Sequence, residues 1–203
     1  MSVVTPVIGQ TSWGDENNLA LSTMAQSGFN PNDLGYKVWN YQNYQTSISA
    51  STALVSGTVN MIRMPKLAQA ESITTVAVHC GIIASGLTLN QCFAGVYNLA
   101  GTRLAITADI STLFGTIGTK NLTLTSTVNA ALGDDLFLAL LFNGTTPPGI
   151  SCCASLSTTA ANGLLTAANA LFADGPAAQT SLPASITMAS RTPSAFARWG
   201  AMN

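Results

Sequence analysis

From Tyr36 onwards the chain breaks into short runs of β-branched and alternating apolar residues, each stopped by Gly, Pro or Asn. Leu54–Met64 ends at Pro65, and Ser72–Cys80 is rich in Ile, Val and Thr. Gln91–Asn98, Thr102–Ala108 and Lys120–Thr125 follow, with Leu104 and Ile106, then Leu122 and Leu124, at a period of two. That period puts one face of a strand in a core. Asp135–Phe142 is almost continuously apolar, as in a strand covered on both faces. Ile150–Ala154 and Ser194–Met202 complete the set. Turn signals at Gly81, Gly86, Gly101, Gly133-Asp134 and Pro147-Pro148-Gly149 lie between them. Short strands at this spacing predict an all-β, jelly-roll-like antiparallel β-sandwich over residues 36–203. Ser155–Leu171 breaks the pattern. Leu164, Leu165, Ala168 and Leu171 can share one face of a short helix, and the Ser, Thr and Asn content fits a long loop equally well.

Residues 1–35 read differently, as an N-terminal arm rich in Asn, Gln and Asp. Thr11 or Ser12 can cap a short helix, with Asp15 and Glu16 in its first turn, where the helix dipole favours negative charge. Leu19, Leu21 and Met24 continue it towards Gly28, and Asn30-Pro31-Asn32-Asp33 is a turn.

Charge then narrows the function. Only 7% of the 203 residues are charged, against about 25% in an average globular protein. Seven scattered cations supply no basic stripe, so nucleic-acid binding by phosphate neutralisation is not expected. No window approaches the roughly 18 apolar residues of a membrane span, and Met1–Gln10 lacks the basic and apolar regions of a signal peptide. Synthesis in a cytoplasm and no membrane insertion are expected. A surface this poor in charge is expected to be covered, by copies of the chain or by a larger assembly.

No catalytic residue stands out. His79 is the single histidine, and the chain has no GxSxG elbow to pair with it. On a strand it faces away from Val78 and Cys80. Asp134 and Asp135 are adjacent and diverge on a strand, whereas glycoside hydrolysis needs two carboxyls that converge. The four cysteines (Cys80, Cys92, Cys152 and Cys153) lack CxxC spacing, so neither a metal site nor any cofactor is expected. They are read as buried thiols, with a Cys80–Cys92 bridge left open. Tyr36, Trp39, Tyr41 and Tyr44 are the more suggestive group, since aromatic rings stack on sugars and also anchor interfaces. The uncharged loop from Asn143 through Thr145 to Gly149 is a candidate recognition loop.

Two segments carry a resemblance. Thr5–Leu19, with Gly9, Thr11, Trp13, Gly14 and Asn18, resembles the opening segment of bacteriophage tail-fibre and minor tail proteins. Leu54–Val59, Asn90–Tyr97, Leu140–Pro148, Leu182–Ile186 and Thr192–Ser194 resemble a domain of virion proteins from phages of Actinobacteria. The resemblance implies a non-enzymatic virion protein and a homotrimer. Its arm would dock on other virion proteins through Trp13, Leu19 and Leu21. Tyr36, Trp39, Tyr41, Tyr44, Asn143 and Thr145 would then be candidate contacts to host surface glycan or to a neighbouring subunit. The alternative is a capsid decoration protein. A glycan-degrading tail enzyme using Asp134 or Asp135 is a third class.

Overall fold

The computed structural model describes residues 31–41, 47–155 and 157–203. The expected arm helix with Trp13, Leu19 and Leu21, and the aromatic Tyr44, lie outside the described residues. The strands are β1 (Val38–Trp39), β2 (Ser47–Ala53), β3 (Asn60–Arg63), β4 (Glu71–Ile82), β5 (Ser85–Leu87), β6 (Phe93–Asn98), β7 (Arg103–Ile106) and β8 (Gly118–Ala130). They continue as β9 (Leu136–Leu141), β10 (Gly144–Thr146), β11 (Gly149–Ser155), β12 (Phe172–Asp174), β13 (Thr192–Pro193), β14 (Phe196–Arg198) and β15 (Gly200–Met202). Among the described residues one α-helix, α1 (Thr158–Asn162), lies between β11 and β12.

Eight strands form two four-stranded sheets, ordered β2-β11-β4-β8 and β3-β9-β6-β7, and all of these pairings are antiparallel. The chain pairs in a nested way: β2 with β11, β3 with β9, β4 with β8 and β6 with β7. That is jelly-roll order. β12 and β13 extend the second sheet beside β3. At the first sheet, β14 pairs with β11 while β15 pairs with β4, so the last strands wedge where β4 and β11 part.

Alternation builds the core. Val76, Val78 and Cys80 of β4 and Leu122 of β8 face Ile62, Leu138 and Leu140 of the second sheet, all buried. The ring of Phe114 meets Phe142 edge-on at 4.7 Å. All six residues of β9 are buried. Its outward Phe137, Ala139 and Leu141 pack with Met61 and Tyr97 beneath a strap that brings Leu182, Ile186 and Met188. The Tyr97 hydroxyl donates to the Pro183 carbonyl at 2.5 Å. The buried Arg191 guanidinium lies 4.7 Å over the Phe137 ring and donates to the carbonyls of Ala167 and Ala168.

The expected Leu54–Met64 strand begins only at Asn60. Before it the chain turns at Gly57 (φ +74°) to cross from the first sheet to the second. In the 155–171 stretch the helix is a single turn, capped by Ser157, whose Oγ accepts from the Ala160 N–H at 3.1 Å. Gly163 ends it at φ +60°, so Leu164, Leu165, Ala168 and Leu171 share no helical face and Leu164 is 98% exposed. The four cysteines are free thiols, three of them buried, so Cys80 and Cys92 are unbridged.

Candidate functional site

The outer face of the first sheet is set by the same alternation that fills the core. With Val76, Val78 and Cys80 inward, Thr75, Ala77 and His79 of β4 point outward. On β8, Leu122 and Leu124 are buried while Thr119, Asn121 and Thr123 are exposed. The register places Thr123 beside Thr75, Asn121 beside Ala77 and Thr119 beside His79. On the other flank Ala201 of β15 pairs with Ala77, and Trp39 of β1 pairs with Ala201. A row Asn121–Ala77–Ala201–Trp39 therefore crosses the sheet. An aromatic wall covers Ala201, and the small Ala77 leaves a trough between that wall and the polar β8.

That wall is held from below. Trp199 is fully buried, and its indole N–H donates to the Tyr41 carbonyl at 2.9 Å. Tyr36 stands edge-on to Trp199 at 5.7 Å and 74°, and 6.4 Å from Trp39. The Tyr41 hydroxyl donates to the Ala197 carbonyl at 2.6 Å. Asn40 ties β1 to the C-terminal strands by donating to the Arg198 carbonyl and accepting from the Gly200 N–H. Burial pushes the Tyr36 and Tyr41 phenols up from their ordinary value, so both are neutral donors. The trough opens as a cavity of about 180 Å³ lined by Leu34, Tyr36, Thr75, Ala77, Asn121 and Asn203. None of these side chains is charged. The Thr74 and Thr75 hydroxyls both donate to the Asn203 carbonyl at 3.3 Å. Such a surface can stack and hydrogen-bond; it holds no nucleophile–base pair.

The other candidates go elsewhere. His79 Nδ1 lies 2.9 Å from Ser151 Oγ, which is 3.1 Å from Ser51 Oγ. Ser151 is fully buried, which closes it to a substrate carbonyl. Burial, then the Lys120 charge, lowers the His79 pKa. Asp134 accepts from the Ala131 N–H at 2.8 Å, while Asp135 pairs with Arg63 at 2.5 Å and Lys66 at 3.5 Å, so the two carboxylates part. Asn143 donates to the Gln91 and Gln179 carbonyls, which fastens three loops together. Thr145 is exposed on a two-stranded ribbon of β5 and β10, at the end of the sandwich where Gly149 meets Ile82.

The structure thus unites Tyr36, Trp39 and Tyr41 and leaves Asn143 and Thr145 apart from them. Trp39 is buried, so Tyr36 is the ring of the three that lines the cavity. Sequence reasoning missed Trp199, Thr75, Asn121 and Asn203. A period-two polar series on Lys120–Thr125 was the available signal, joined to a small Ala77 between bulky neighbours. No family model matches the chain, and no curated protein matches it.

Proposed function

We propose that this chain is a structural protein of a bacteriophage particle, a tail-associated adhesin. The sandwich projects as a homotrimer and touches host surface glycan through the outer face of its first sheet. The arm, residues 1–35, docks on other virion proteins through Trp13, Leu19 and Leu21. The observation that carries the glycan contact is the trough beside Tyr36. It combines a braced aromatic ring with amide and hydroxyl groups and no charged side chain, the chemistry that suits an uncharged sugar. The jelly-roll order and the tail-protein-like arm segment support the virion assignment.

The test is made on assembled particles. Phage encoding a chain without residues 1–30 keeps the Pro31–Leu34 turn, whose Pro31 carbonyl accepts from the Tyr36 N–H at 2.9 Å. Such particles are expected to lack the protein, while the truncated chain still folds. Incorporation equal to that of the full chain would refute arm docking. Label found on heads and missing from tails would refute the tail assignment.

A further inference from the structure

We infer that the trough takes a linear, uncharged polysaccharide lying along β8, with one pyranose ring seated against Tyr36. The inference rests on the glycan-contact reading and adds the class of glycan, its direction on the protein and its charge.

The direction follows from the strand. Thr119, Asn121 and Thr123 present side chains outward at every second residue. They recur at ~6.8 Å and span ~14 Å. A repeating polymer meets a repeating strip, and a lone sugar fills only the cavity. An amide both donates and accepts, as does a hydroxyl, so Asn121 and the threonines answer sugar hydroxyls without a fixed polarity. The Asn121 side chain has no hydrogen-bond partner among the described residues and is exposed, hence free for a ligand.

The seat follows from the aromatic wall. Tyr36 is backed by Trp199 and Trp39, so its ring is fixed before a ligand arrives and little freedom is lost on stacking. The cavity of about 180 Å³ beside it has room for a single ring.

The exclusion of acidic sugars follows from the neighbouring charges. The flanking cations, Lys37 and Lys120, lie outside the cavity lining. Lys37 donates to the Ser72 carbonyl at 2.5 Å and pairs with Glu71 at 3.5 Å. Lys120 donates to Thr116 Oγ1 at 2.8 Å. A uronate brought to the trough would lose water and meet no cationic side chain in the cavity lining.

The full-length protein is titrated calorimetrically with three soluble neutral series, manno-, galacto- and gluco-oligosaccharides from one to six units, and with oligogalacturonates. At least one neutral series is expected to bind, about tenfold tighter at three units than at one, with the gain levelling off beyond the strip. Oligogalacturonates are expected not to bind. Asn121→Ala touches no aromatic ring and is expected to weaken binding about tenfold at unchanged melting temperature. Tyr36→Ala is expected to abolish binding and Tyr36→Phe to retain most of it. Failure of all three neutral series, equal binding of oligogalacturonate, no dependence on length, or full affinity in Asn121→Ala would each overturn the inference. These outcomes are separate from particle location. A tail protein that binds none of the neutral series removes this inference alone, and an oligosaccharide binder absent from particles removes the adhesin reading alone.

Discussion

Two glycines share one positive φ and differ in what surrounds them, which turns the strap over the second sheet into a measurable object. Gly101 and Gly133 both sit at φ +82°. An L-residue there costs about 1–2 kcal/mol. At Gly133 a Cβ would have nothing within 4 Å, so Gly133→Ala pays only that cost. At Gly101 a Cβ would lie 1.9 Å from the Ile186 carbonyl oxygen, a backbone atom that no rotamer can clear. The strap must back away. It then loses the Ile186 N–H bond to the Gly101 carbonyl and the Arg103 N–H bond to the Ala184 carbonyl, at 2.8 and 2.9 Å. At about 1 kcal/mol each these amount to roughly 2 kcal/mol. Ile186 and Met188, 5% and 7% exposed, also give up part of the roughly 1.5–3 kcal/mol that each gains from burial. The loss for Gly101→Ala is therefore about 4–6 kcal/mol, against 1–2 for Gly133→Ala. At about 2–4 °C per kcal/mol for a chain of this size, the expected drops in melting temperature are about 10 °C or more and about 4 °C. Calorimetric melts read the difference, and limited proteolysis of Gly101→Ala is expected to cut first between residues 176 and 191. Melting temperatures of the two variants within about 2 °C of each other would refute the reasoning.

Two further expectations concern charge. The His79 pKa is lowered in the fold from an ordinary 6.5, so as pH falls the unfolded chain takes up the proton first. Stability is expected to decline as pH drops through 6.5 and to level off below the lowered value. Urea midpoints at pH 7.5 and 5.5 should converge in His79→Gln, and an unaltered difference would assign the effect to another group. Arg198 and Asp174 approach to 3.6 Å without a hydrogen bond, with the Arg198 side chain 5% exposed and that of Asp174 37% exposed. Asp174→Ala strands a buried cation and is expected to cost about 3 kcal/mol, whereas Arg198→Met leaves a carboxylate that is part-exposed, though its Oδ1 is buried, and is expected to cost less. Urea midpoints in the reverse order would show that Arg198 is hydrated in the folded protein.

What the sequence disclosed follows how local each signal is. The period of two in β4 and β8, and the continuous apolar run of β9, identify strands and their inward faces because alternation depends only on neighbours along the chain. β5 and β10 stayed hidden because Ser85–Leu87 and Gly144–Thr146 have the composition of turns and pair only with each other. The trough is non-local for the same reason. Asn121, Ala77, Ala201 and Trp39 are far apart in the chain, and only the β8-β4-β15-β1 register lines them up. The aromatic group was legible as residues, yet which ring would stay open depended on Trp199, which the sequence places at the other end of the described chain.

Of the seven Lys and Arg residues, Arg191 and Arg198 are buried inside the fold, and Arg63, Lys66 and Lys37 pair with carboxylates. The scarcity of charge is thus deepened by the fold, which spends cations on struts such as Arg191 over Phe137. A face emptied in this way loses little when covered, because there are few ions to strip of water. It also gains nothing from ionic attraction, so a partner must be recognised by shape, stacking and neutral hydrogen bonds. A sheet face with a braced tyrosine at one side and a polar strand at the other meets those terms, and salt provides the discriminating measurement. Binding of a neutral oligosaccharide at the trough is expected to change less than twofold between 50 mM and 500 mM NaCl, since charge contacts are what salt screens. A steep loss of affinity with salt would mean that an ionic contact, from Lys37 or Lys120, carries the binding instead.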